Sequence, residues 1–184
     1  MNVIFHTTTA IGVAVLLTDT TRIDQSNTSK NVFWTSILAF TVGLISHGVL
    51  DYIPHCYPVN SKFDAISGLV VILTTTWLTN KKYRLIMGVS FLGCIFPDLV
   101  DLSPGIVNKQ LGLSLPIINK IFPWHLHDYS GSIYNNNCNN STLNHMLLLL
   151  TICIVCWCRW TDVKIIFKKG ARPEIMAQAS RPGK

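Results

Sequence analysis

The sequence predicts an all-α fold, a polytopic membrane helical bundle of about five transmembrane helices with the N-terminus outside and the C-terminus in the cytoplasm. Three observations carry that expectation. Of the 184 residues, 49% are hydrophobic and only 13% charged, and the apolar residues come in blocks, which describes a membrane protein and not a soluble core. The blocks are close to the lengths of ~17 to 25 residues that carry a helix across the hydrocarbon layer, several of them near the short limit. With five crossings, Lys and Arg divide twelve to three between the two sides, the asymmetry that marks a cytoplasmic face. The net charge of +6 therefore reflects topology, and no nucleic-acid partner is expected.

Taken in order, residues 3–18 form a short first span that carries His6 and three threonines near its start. It has no positive n-region and no small-residue cleavage site, so it reads as a retained helix. Residues 19–31 are a polar loop. Residues 32–52 are the second span, ended by Pro54, and 53–63 a turn-rich connection. The third span, 64–79, contains Gly68. Asn80-Lys81-Lys82 is a tight hairpin into the fourth span, 83–100; the alternative for this pair is a re-entrant loop. Residues 102–141 are the one long connection, whose Ile- and Leu-bearing middle lies along the membrane surface. Residues 142–160 are the fifth span, which closes a bundle over 1–160, and 161–184 are a basic cytoplasmic tail. Trp34, Trp77, Trp157 and Trp160 fall at the cytoplasmic interface, where aromatic belts form. Cys153, Cys156 and Cys158 lie among Ile, Val and Trp and suit a small apolar role. Cys56 and Cys138 leave a disulfide open without establishing it.

On this topology all six histidines fall toward the outer side, together with Asp51, Asp98, Asp101 and Asp128. His47 and Asp51 are one helical turn apart and share a face. His47 and Asp98 each lie 15 residues into their spans, ~22 Å along the helix axis. Carboxylates at helix C-termini oppose the macrodipole, and the few nearby lysines do not neutralise them. A bound divalent cation answers both problems. Imidazole with carboxylate suits zinc first, then manganese or iron, and the number of candidate ligands leaves room for two ions. The metal-ligand candidates are His6, His47, Asp51, Asp98, His125, His127 and His145. His125 and His127 alternate, so an extended backbone points both the same way. Asp98, Asp101 and Asp128 are the candidates for a catalytic general base.

Three stretches carry a family resemblance: Phe-His-Thr-Thr-Thr-Ala-Ile-Gly at 5–12, Ser-His-Gly-Val-Leu-Asp-Tyr-Ile-Pro-His at 46–55, and Phe-Pro-Asp-Leu-Val-Asp at 96–101. They resemble the membrane-bound metal-dependent hydrolases, small polytopic inner-membrane proteins of bacteria and archaea. By that resemblance His6, His47, Asp51 and Asp98 are site residues. The family's His-Arg-Gly-x-Thr-His motif has no counterpart here, and His125, His127 and His145 stand in its place only loosely. The expected function is a multi-pass inner-membrane hydrolase that acts at the outer face on a lipid or lipid-linked ester or phosphoester. Two other classes share the same residues. A metal or proton-coupled transporter needs polar groups continuing to the far side, where these spans offer only Ser and Thr. In a non-catalytic membrane protein the cluster would serve only to staple helix ends.

Overall fold

The computed structural model describes residues 2–25, 28–57, 59–117, 119–133 and 138–168. The Asn135–Asn137 piece and the basic tail from Lys169 onward lie outside the described residues. The elements are α1 (Val3–Leu17), α2 (Thr20–Gln25), α3 (Thr28–Tyr52), α4 (Ser61–Leu78), α5 (Arg84–Asp101), α6 (Ser103–Leu111), a 3-10 turn (Pro123–His125), α7 (Asn139–Cys158) and α8 (Trp160–Ile166). The protein is all-helical, with no strand among the described residues.

Among the described residues two helices, α3 and α7, are long and apolar enough to cross a membrane; the count rises to three if α5 and α6, bent by 63° at their junction, form one broken span. Five crossings are not carried by the elements as they stand. The reason is length and composition: α1 has 15 residues, short of the ~17 needed, and α4 has 18 but places Lys62 and Asp64 in its first turn. The polar 19–31 stretch is not wholly loop, since α2 occupies Thr20–Gln25 and α3 already starts at Thr28. The start of the supposed tail is helical as α8.

The short α1 is the central element, in contact with α3, α4, α5 and α7. Its own sequence favours this: Ala10, Gly12 and Ala14 keep its surface narrow enough for neighbours on several sides. Its N-terminus is capped from α4, where the buried Asp64 carboxylate accepts the N–H groups of Val3 (2.7 Å) and Ile4 (3.1 Å). Ser90 of α5 donates to the Ala10 carbonyl at 2.8 Å, fixing the depth of α5 against α1.

Among the described elements α3 and α5 pack against each other most extensively, and their backbones come close. A Cβ on Gly93 would stand 2.4 Å from the Phe40 carbonyl oxygen, so only glycine lets the two backbones meet there. The buried apolar core (Ala39, Ile86, Met87, Phe91 and Cys94 with Ala10, Ala14 and Val15) fills the space around that crossing. Outward positions are apolar instead of polar: Ile45, Leu69, Leu73, Leu147, Leu150 and Trp157 are all exposed. That inversion is what a bundle solvated by lipid requires.

The two ends differ. At one end Lys82 pairs with Asp24, and Asp162 accepts Thr20 N–H (3.1 Å) and O–H (2.7 Å) while pairing with Arg159 (3.2 Å). At the other, Cys56 and Cys138 form a disulfide that ties the end of α3 to the start of α7, beside an isolated bridge between His55 and Ser132.

Candidate metal centre

His47 and Asp51 project from the last turns of α3 into the space between α1 and α5. Asp98 reaches the same space from α5, one residue after Pro97. His6 enters from α1, its ring stacked on His47 at 4.0 Å. The fifth member comes from outside the long helices. Pro123 opens a 3-10 turn that ends on His125, and Trp124 lies flat against α3 at Gly48. There a Cβ would come within 2.8 Å of the indole. The small residue between His47 and Asp51 thus admits the aromatic ring that seats His125.

The donor atoms converge. Asp51 Oδ1 is 3.1 Å from His6 Nε2, and its Oδ2 is 3.1 Å from His47 Nε2 and 3.2 Å from His125 Nε2. Asp98 Oδ1 is 3.3 Å from His125 Nε2 and 3.6 Å from His47 Nε2. The two Nε2 atoms of His47 and His125 face one another at 3.3 Å. One donor atom from each of His47, Asp51, Asp98 and His125 lies within 4.8 Å of all the others, so this group could hold a metal ion.

Outer contacts fix which nitrogen of each ring points inward. His47 Nδ1–H donates to the Cys94 carbonyl at 2.6 Å, and His125 Nδ1–H donates to Asp101 Oδ2 at 2.8 Å. With Nδ1 carrying the hydrogen, the neutral ring turns its Nε2 lone pair toward the centre. Carbonyl and carboxylate partners of this kind orient imidazole ligands at metal sites. The result is two lone pairs and two carboxylates facing each other in a largely water-free space. Such an assembly repels itself unless a cation sits in it. Burial pulls the His125 imidazole down, but hydrogen bonds to Asp51, Asp98 and Asp101 outweigh it and raise its pKa to about 10, so the surrounding carboxylates favour positive charge at this point.

Asp101, one of the base candidates, is fully engaged in positioning. Besides His125 it accepts the N–H groups of Ile121 (2.9 Å) and Phe122 (3.0 Å), so it anchors the incoming loop and does not face the centre. Asp98 does face it, and its side chain is 19% exposed against 0 to 7% for His6, His47, His125 and Asp51. The open side of the group is therefore at Asp98.

Three candidates are not brought to the group. His127 and Asp128 lie 3.8 Å apart with side chains 86% and 89% exposed. The alternation that should have aligned His127 with His125 fails because the backbone there is a 3-10 turn followed by a further turn, not an extended strand. His145 is buried in α7, stacked on Phe5 at 4.0 Å. It falls in the second turn of a helix that begins at Asn139, facing the side of α1 that carries Phe5. His55 is also buried, but its Nδ1–H is spent on the Ile53 carbonyl at 2.8 Å. The participants that sequence reasoning missed are the Cys94 carbonyl and Trp124. A carbonyl leaves no mark in a sequence; Gly48 beside His47 is the signal that leaves room for the Trp124 ring.

No protein-family model matches the sequence, and no curated protein or solved structure is detectably similar to it.

Proposed function

We propose that this chain is a membrane-embedded, metal-dependent hydrolase of an ester or phosphoester, with a lipid or lipid-linked molecule as substrate. One observation carries the reading: two imidazole Nε2 atoms and two carboxylates converge, with both outer N–H groups tied away from the centre. His47, Asp51, Asp98 and His125 would hold the ion, with His6 against Asp51 as a further ligand; zinc fits this mixed nitrogen and oxygen set first, manganese or iron next. A divalent ion held there would supply Lewis acidity and make water at the site easier to deprotonate. Asp98, at the open side, is the carboxylate positioned to accept a proton from a water entering the site, and Asp101 holds His125 in register.

In this reading the site faces out of the cytoplasm. The disulfide lies at the site-bearing end, as expected of an oxidising compartment. Arg22, Lys81, Lys82, Arg84, Arg159 and Lys164 stand in or between the elements of the other end. The shorter α1 and α4 then cross as inner partners of α3 and α7 in a multi-pass inner-membrane protein.

The test is turnover of a panel of phospholipid and lipid-linked substrates by protein in nanodiscs. Hydrolysis should stop with a chelator, return with zinc or manganese, and be absent in His47→Ala. Metal-loaded protein that turns over nothing, with or without the chelator, would reduce the cluster to a staple joining α1, α3, α5 and the loop.

A further inference from the structure

The segment that delivers His125 has a second face that the metal centre does not use. α6 leaves α5 at a bend of 63° and ends at Gly112, whose φ of +65° reverses the chain. The returning backbone is clasped to α6 by one side chain. Asn108 donates to the Leu115 carbonyl and accepts the Leu115 N–H, both at 2.8 Å. The chain then runs back to Asp101, which takes the N–H groups of Ile121 and Phe122. This is an ordered arm pinned at both ends.

Its large apolar side chains nevertheless point outward. Leu111 and Ile117 are 70% and 71% exposed, and Ile106, Leu113, Leu115 and Ile121 are exposed with them. Leu113, Leu115 and Ile117 are two apart, so along an extended run they share one side. A run of exposed apolar side chains of this kind is costly in water.

Position and composition point to one occupant. Among the described residues, 112–117, 119 and 120 lie in no helix or strand that would satisfy their backbone groups, so they do not belong in the hydrocarbon core. Lys109 and Lys120 flank the apolar run, as cations flank segments that lie among anionic headgroups. We propose that residues 103–121 are an interfacial arm, seated in the headgroup layer of the leaflet at the site-bearing end, with phospholipid as its partner. Because the arm runs into His125, its membrane contact positions one donor of the metal group. The membrane-docking surface itself does not depend on the hydrolase reading.

The experiment places the photoreactive residue p-benzoylphenylalanine at Ile117, and separately at Asp128, in the full chain reconstituted in phosphatidylethanolamine–phosphatidylglycerol vesicles. After irradiation, intact-mass analysis should show lipid adducts at position 117 at about tenfold the yield at the polar, exposed position 128. A Leu113→Asp, Leu115→Asp background should suppress the adduct at 117, since two carboxylates lift the arm from anionic headgroups. Adducts at 117 to a polypeptide instead of lipid, or lipid yields equal to those at 128, would overturn the proposal, as would an adduct unchanged in the Asp background.

Discussion

Each imidazole around the centre owes its role to what its second nitrogen touches. His47 and His125 donate Nδ1–H to the Cys94 carbonyl and to Asp101, which leaves Nε2 for the centre. Asp101→Asn keeps the size but sets an NH2 group against the N–H groups of Ile121, Phe122 or His125. It should weaken metal binding about 10- to 100-fold while leaving the helices folded; competition with a chelating dye measures this, and unchanged affinity would remove Asp101 from a positioning role. His55 shows the opposite use of burial, because desolvation pushes its imidazole down to about 4 from an ordinary 6.5. The unfolded chain binds a proton that folded His55 refuses. Its contribution is therefore complete above pH 6.5 and is lost as pH falls toward 4. His55→Asn retains a donor for the Ile53 carbonyl without the titration. Its melting temperature between pH 7.5 and 5 should fall less than that of the wild type, and parallel slopes would contradict this. At this scale the sequence was legible where chemistry and helical spacing coincide, as at His47, Asp51 and Asp98. It was not legible where the backbone turned, which is why His125 arrives at the centre and His127, two residues on, does not.

Among the elements, the α3–α5 contact carries the site, since three of its four close donors stand on these two helices. Gly93 against Phe40 sets their separation. Gly93→Ala should cost about 1–3 kcal/mol by overpacking and should lower metal affinity as well, because parting the helices draws Asp98 from His47. Thermal unfolding in detergent and dye competition read the two effects, and an affinity loss without a stability loss would contradict the coupling. The apolar runs foretold where α3, α5 and α7 lie, because burial in lipid imposes length and composition together. They overstated α1 and α4 as independent spans. α1 is surrounded by protein and does not need full length, and α4 spends its first turn capping α1 through Asp64. The sequence left the Cys56–Cys138 disulfide open without establishing it, since the two cysteines lie outside the apolar runs but 82 residues apart, and only the fold brings them together.

Across the molecule as a whole a polarised charge distribution accompanies a polarised chemistry: most cations stand at one end, in part paired with Asp24 and Asp162, and the imidazoles, the clustered carboxylates and the disulfide stand at the other. A fluorescent reporter fused at the C-terminus should therefore read as cytoplasmic, and alkylation in intact cells should find Cys56 and Cys138 blocked until reduced. An external reporter would detach the site from the outer face. The central claim is that the cluster holds a metal, and elemental analysis of detergent-purified protein tests it most directly. The wild type should carry about one divalent ion per chain, lost in both His47→Ala and Asp98→Ala, with Asp128→Ala unchanged. Wild-type protein that stays metal-free after incubation with zinc, manganese and iron, or full metal content in both ligand variants, would contradict it.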